Sequence, residues 1–277
     1  GIYTYQNNYS LPVGVCYTEY LSKEEYEKLT PIEKEEALLK VAVVDREDIK
    51  NIKIKEKTDI EDIKSSYEKI EPQIIDKDHI LQENGDNKKV VTQKKNQRIL
   101  FQIPKVQNSE LYVYISGFEY QGNSKHTVTA KYQGKRIEKF IDHKTESAYY
   151  QKAPEILLNL GYYEQTEGKI ELFFSTPGTY ELEDIQILAV PMDSYAQKIQ
   201  KLQQDELKEV ECTNRKISGK LDLSQDAILQ IASSYTSGWK AYVDGNKVDT
   251  IRVNTAFIGV PIEAGKHEVI LKYETPY

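Results

Sequence analysis

The chain has 277 residues, enough for two domains with cores of their own, and its 39% hydrophobic against 29% charged content is that of a water-exposed globular protein. A formal net charge of −7, with lysines interspersed among glutamates and no basic stripe carrying interleaved aromatics, argues against nucleic acid as a partner. No apolar run reaches the eighteen or so residues of a membrane span, and no stretch has the form of a signal peptide.

Residues 1–20 read as extended, with a turn at Leu11-Pro12 and Val13, Val15 and Tyr17 on one strand face. Ser22 to Glu25 has the capping-box pattern, and Thr30-Pro31-Ile32-Glu33 repeats it with proline at the first helical position. Ile32, Leu38, Leu39, Ala42 and Val43 continue at helical period, which predicts a helix over 31–44. From 45 to 96 the chain is rich in Lys, Glu and Asp. Ile60, Ile63, Tyr67 and Ile70 suggest a short helix after Thr58, and 88–95 reads as an exposed loop or edge strand.

Residues 97–190 alternate apolar and polar positions between Gly- and Pro-containing turns. Leu111, Val113 and Ile115 form one such face, Ile156, Leu158 and Leu160 a second, and Ile170, Leu172 and Phe174 a third. Asp193 then stands where it can cap a linker helix carrying Tyr195, Ile199 and Leu202 on one face. In 235–273, Ala241 and Val243 alternate with polar neighbours up to an Asp244-Gly245 hairpin turn, and further runs follow through Val253, Ile258, Val260 and Val269. Short stretches of 111–182 find counterparts in the same order in 229–269, such as AKYQGKRI and AYVDGNKV. Two related β blocks account for this echo, and convergent hairpin chemistry accounts for it as well. The expected fold is therefore mainly β: two tandem antiparallel β-sandwich, jelly-roll-like domains at 81–192 and 193–277. Residues 1–80 are expected to pack on the first, and a linker helix opens the second.

Chemistry is sparse in this sequence. His79, His126, His143 and His267 have no partners at ligand spacing, and neither a nucleophile elbow nor a phosphate-binding glycine loop occurs, so no metal and no cofactor is expected. Asp142, Glu183 and Asp184 are available as paired carboxylates, although any acidic chain supplies such pairs. Cys16 and Cys212 have no metal-type spacing. Their separation does not forbid a disulfide, but a small secreted framework needs more cysteines, which favours two free thiols. With 21 tyrosines in the chain, Tyr149-Tyr150 and Tyr162-Tyr163 stand out because they flank the 156–160 strand. They are the candidate carbohydrate-binding residues, with packing at strand ends as the competing reading. Trp239, Asp244 and Gly245 read as structural: Trp239 shares the inward parity of Ala241 and Val243, and Asp244 bonds its own turn.

The motifs SGWKAYVDG at 237–245, VNTAFIGV at 253–260 and AGKHEV at 264–269 resemble the C-terminal extracytoplasmic region of the bacterial membrane protein YfhO family. So do NNYSLPVGV at 7–15 and PIEKEEALLK at 31–40. The resemblance implies a multi-pass parent similar to membrane glycosyltransferases that use lipid-linked donors, acting on cell-envelope polymers of the teichoic acid type. It further implies that the catalytic acid lies outside this segment, that the membrane-spanning part of the parent is its partner, and that it sits on the outer face of the cytoplasmic membrane. The chain opens at Gly1 and stops just past a strand, so both ends are expected to adjoin membrane spans. The rival expectations are an autonomous carbohydrate-binding module and a structural cell-surface domain.

Overall fold

A computed structural model describes residues 7, 9–84, 87–122, 124–142 and 154–275. The chain divides into two compact units, Tyr67–Asp193 and Gly1–Ser66 with Ser194–Tyr277. The mainly-β, sandwich-rich fold read from the sequence is present, but the segment 1–80 does not pack on the first sandwich as a whole. Strand Gly14–Tyr17 pairs antiparallel with Ala227–Ser234, so the chain's beginning belongs with its C-terminal block. An apolar period identifies a strand, and it carries no information about which partner closes the ladder.

Within Tyr67–Asp193 every strand pairing is antiparallel among the described residues. One sheet runs Ile156–Gln165, Gln107–Ser116, Asp184–Pro191, Glu68–Ile70. Another runs Lys135–Ile141, His126–Tyr132, Gly168–Phe174, Gln97–Ile103, Gln73–Ile75. A third orders Glu119–Tyr120, Gly178–Leu182, Asn87–Thr92 and Leu81–Asn84. The alternating residues Leu111, Val113 and Ile115 of one sheet meet Ile99, Phe101, Leu172 and Phe174 of another in a single core. Asn87–Thr92 is an inner strand with Val90 fully buried, not the exposed loop or edge that its lysines suggested. The helix expected across 58–70 shrinks to Glu61–Lys64. Ile70 joins a strand opposite Ile187, so the helical spacing of Ile63 and Ile70 spans two separate cores.

The other unit holds two sheets. A five-stranded antiparallel sheet orders Lys208–Cys212, Lys216–Leu223, Gly265–Tyr273, Trp239–Val243 and Asn246–Val248. It packs Leu221, Ala241, Val269 and Leu271 against Leu229, Ile231, Ile258 and Val260 of a seven-stranded sheet. The far face of that second sheet carries Val15, Tyr17, Val44, Ile228 and Val253 and is covered in part by Leu202 of helix Tyr195–Gln204. A sheet buried on both faces needs unbroken apolar runs, which is why Gly14–Tyr17 and Ala42–Val44 are buried at every position. Glu19–Ser22 lies parallel to Ala42–Val44, and a parallel pair requires a crossover, supplied here by helix Pro31–Leu38.

That helix has both arms of its capping box at Thr30 and Glu33, as its sequence predicts. It stops six residues earlier than the expected boundary of 44, because Ala42–Val44, with β-branched Val43 and Val44, enters the sheet instead. The linker helix forms, but Ser194 occupies its N-cap without a side-chain bond. Asp193 turns away to accept from Asn108 Nδ2 at 2.6 Å.

Candidate functional site

In strand Ile156–Gln165 the residues Ile156, Leu158 and Leu160 point into the core, and an even period would send Tyr162 after them. A β-bulge prevents this. Leu111 pairs with Gly161 and Tyr112 with Asn159, so Leu160 is the extra residue, and Gly161 takes φ 95°, a conformation open to glycine. Parity flips at the bulge: Tyr163 packs on the core and Tyr162 stands outward opposite Glu110, with 50% of its surface exposed.

The four tyrosines singled out in the sequence therefore separate. Tyr163 meets Tyr132 edge to face with ring centroids 4.9 Å apart, donates to Leu160 O at 3.1 Å, and has its phenol pKa raised by burial. Tyr162 remains on the surface, and Tyr149 and Tyr150 lie outside the described residues. Around Tyr162 the outward positions of neighbouring strands build a polar array. Tyr162 OH donates to Asn108 Oδ1 at 2.9 Å, and Asn108 Nδ2 donates to Asp193. Glu110 accepts from Asn159 Nδ2 and from Tyr112 OH, both at 2.8 Å, while Asn159 Oδ1 accepts from Gly161 N at 2.7 Å. An aromatic face beside a carboxylate and two oriented amides offers stacking together with donors and acceptors for hydroxyl groups. Asn108, Glu110 and Asn159 were not singled out in the sequence; the period-2 register that places them beside Tyr162 could be counted only with the bulge known.

At the other unit, Asp244 and Gly245 take φ 50° and 80°, the paired positive values of a two-residue hairpin turn between Val243 and Asn246. Asp244 does more than close its own turn. Its Oδ1 accepts from Glu268 N at 2.9 Å and its Oδ2 lies 2.7 Å from His267 Nδ1. Asp244 raises the His267 pKa, and His267 in turn lowers that of Asp244. His267 Nε2 faces Glu263 O at 3.1 Å, so both ring nitrogens point at acceptors and the imidazole clasps two turns together. Trp239 is half-buried against the same core as Ile258, Val260 and Val269, edge-on to Tyr273 at 5.4 Å.

Two of the three carboxylates named as possible pairs, Asp142 and Asp184, are engaged by lysines. Asp142 meets Lys125 at 3.1 Å, and Asp184 meets Lys88 and Lys69 at 2.5 and 3.3 Å. Partial burial works to raise the Asp184 pKa, but Lys88, Gln186 and Lys69 overcome it and hold the group low. Cys16 is buried, and that burial, followed by the charge of Asp205, pushes its thiol up to about 12; Cys212 is exposed, and both are free. A cavity of about 430 Å3 is lined by Ile52, Ile54, Val248 and Ile262 with Lys53, Lys247, Asp226 and Glu263. Among the described residues no group of three or more His, Cys, Asp or Glu is placed to hold a metal ion, and no helix is long and apolar enough to cross a membrane.

Together these features define a mainly-β, sandwich-rich protein whose exposed polar chemistry gathers on strand faces and hairpin turns. The profile of the bacterial membrane protein YfhO family matches residues 1–277, and the chain belongs to that family. No curated protein matches it. Among solved structures, the mycobacterial arabinofuranosyltransferase AftD aligns at a TM-score of 0.24 and 9% identity, over 64% of this chain and 20% of that one. A cycloisomaltooligosaccharide glucanotransferase from Paenibacillus sp. aligns at 0.22 and 8%, over 74% and 44%. The vicilin of hazelnut, Corylus avellana, aligns at 0.18 and 8%, over 76% and 83%. The chain thus spans a fifth of the first of these proteins and under half of the second, and at such scores none of the three carries weight for fold or function.

Proposed function

We propose that this chain is the non-catalytic extracytoplasmic region of a YfhO-family multi-pass protein, lying on the outer face of the bacterial cytoplasmic membrane. Its parent, in this reading, is a glycosyltransferase that moves sugars from a lipid-linked donor onto cell-envelope polymers of the teichoic acid type. The chain's task is to hold the glycosylated polymer for the membrane-spanning part. Family membership supports the membrane setting. The observation that carries the binding role is the exposed Tyr162 ring set among Asn108, Glu110 and Asn159, whose donors and acceptors are oriented by bonds to one another.

Titration calorimetry of the 277-residue chain with glycosylated teichoic acid and with the released sugar tests it. Saturable binding by wild type, lost in Tyr162→Ala and weakened in Asn159→Ala, is the expected result. Absence of sugar-dependent binding would leave the structural cell-surface domain as the better account. If the chain binds as well without the membrane-spanning part as with it, the autonomous carbohydrate-binding module takes precedence.

A further inference from the structure

The outward face of the five-stranded sheet pairs its charges in two different ways. Ile217, Leu221, Ala241, Val269 and Leu271 of this sheet point into the core, so the alternate positions look away from it. Toward one end of that outward face, cross-strand neighbours carry opposite signs: Lys220 stands opposite Glu268, and Asp222 opposite Lys266. Toward the other end, Lys216 stands opposite Lys272, and Lys272 opposite Lys240. Three lysines thus form one row across three neighbouring strands. In the next row Tyr242 lies between Ile270 and Lys247.

Like charges directly opposite one another destabilise a sheet. Lysine is favoured on edge strands, where it deters pairing with another chain. That reason does not apply here, because Lys216–Leu223, Gly265–Tyr273 and Trp239–Val243 are the three inner strands of the sheet. Nor does a shortage of acids explain the row, since the chain has 44 Asp and Glu against 37 Lys and Arg. A row that costs stability in the free protein is relieved when an anionic partner lies against it.

The form of that partner follows from where the ammonium groups go. Lys216 reaches Glu211 at 3.1 Å, Lys240 donates to Ser237 O at 3.0 Å, and Lys272 lies over the Tyr242 ring at 5.4 Å. Glu274 borders the row past the strand's end, held there by its N–H donating to Gly238 O. The ammonium groups diverge along an open face instead of converging on a point, which suits an extended anionic surface and not one small anion. Beside them, Tyr242 offers a ring with a polar tip and Ile270 an apolar contact, the pairing of properties that settles at a lipid headgroup layer. A single-stranded nucleic acid needs ring faces on which to stack, and the Tyr242 ring is already covered by Lys272. The chain belongs to a family of membrane proteins, so a bilayer is the extended anionic surface within its reach.

We infer that this face docks on an anionic bilayer, with Lys216, Lys240, Lys247 and Lys272 against the headgroup phosphates. The inference uses family membership alone, concerns a different sheet from the Tyr162 surface, and does not depend on sugar binding there.

Co-sedimentation of the 277-residue chain with vesicles of phosphatidylcholine, alone or mixed with phosphatidylglycerol, tests it. Wild type is expected to bind only the vesicles that contain phosphatidylglycerol, and less as salt rises. At about fivefold per lysine, the triple variant Lys216→Gln, Lys240→Gln, Lys272→Gln is expected to bind roughly a hundredfold more weakly. The same variant is expected to melt at or above the wild-type temperature, because the repulsion is relieved, which separates lost docking from lost folding. The corresponding triple arginine variant is expected to retain binding. A charge-matched control, Lys77→Gln, Lys139→Gln, Lys169→Gln, removes exposed lysines from the other unit and is expected to bind like wild type. Equal loss in both glutamine triples would overturn the face in favour of net charge. No binding by wild type would overturn it outright, as would tighter binding to single-stranded DNA than to the vesicles at the same salt. Tyr162→Ala is expected to bind vesicles as wild type does, so failure of the sugar reading leaves this result standing.

Discussion

Asn254, the asparagine of the VNT motif, offers the sharpest test of what holds the seven-stranded sheet together. It is 7% exposed, takes φ 49°, and its Oδ1 accepts from Val43 N at 2.7 Å, while its own N–H donates to Val43 O at 2.9 Å. Its Nδ2 also donates to Gln230 and reaches Tyr17 OH at 3.5 Å. One side chain thereby extends the ladder between residues 211 positions apart. In Asn254→Ala the Val43 N–H is left buried without an acceptor, at about 1–3 kcal/mol. An alanine in the left-handed region adds about 1–2 kcal/mol. The expected loss is about 2–5 kcal/mol. Asn254→Gly keeps the backbone conformation at no steric cost, so it isolates the hydrogen-bond loss, with up to about 1 kcal/mol of added chain entropy. Urea unfolding followed by the fluorescence of Trp239, the chain's one tryptophan, reports on this unit. If Asn254→Gly unfolded at the wild-type midpoint, the amide would not be the keystone of the sheet and the reasoning would fail.

Trp239→Ala is expected to lower the stability of its unit by about 2–3 kcal/mol, at or below the low end for buried tryptophan because the ring is half-buried, and differential scanning calorimetry would read it. Tyr163→Ala should lower the melting temperature through its lost core contact, whereas Tyr162→Ala should leave it unchanged; equal effects would contradict the parity flip at Gly161. The Asp244–His267 clasp gives a signed pH dependence. His267 has a raised folded pKa, so its contribution is complete below the unfolded value of about 6.5 and disappears as pH rises through the folded value. Asp244 has a lowered one, so its contribution is present above about 3.9 and disappears as pH falls through the folded value. The melting temperature of the unit that holds the clasp should therefore decline as pH rises above about 6.5, and His267→Gln should flatten that decline. A disulfide-exchange reagent should label Cys212 at once and Cys16 only on unfolding, since the latter thiol is buried.

What the sequence disclosed was local. The capping box at Thr30, the hairpin at Asp244-Gly245 and the alternating faces of 111–115 and 156–160 each depend on neighbours within a few residues, and each is found in the structure. The errors came where a local pattern had two physical solutions. Ala42 and Val43 satisfy a helical stripe as well as a strand, and only the crossover geometry with Glu19–Ser22 decides between them. Ile63 and Ile70 keep helical spacing while serving different cores. For the site, Tyr162 was visible as an aromatic beside a strand. Its partners Asn108, Glu110 and Asn159 were not, because one extra residue at the bulge reverses every later position. His267 was passed over because its acid lies 23 residues away and meets it only through strand pairing.

The pairing of Gly14–Tyr17 with Ala227–Ser234 also sets an order of events during synthesis. Residues 67–193 form a contiguous unit, so that region contains everything needed to fold once it has emerged. The other unit cannot close its long sheet until strand Ala227–Ser234 arrives, some two hundred residues after the strand it must join. Loop-closure entropy grows slowly with length, and prior collapse of the intervening segment shortens the effective loop. Early folding of 67–193 thus assists the later closure. A lesion that slows the intervening unit, such as loss of Tyr163 from its core, should delay the appearance of native Trp239 fluorescence in refolding, even though the two residues belong to different units.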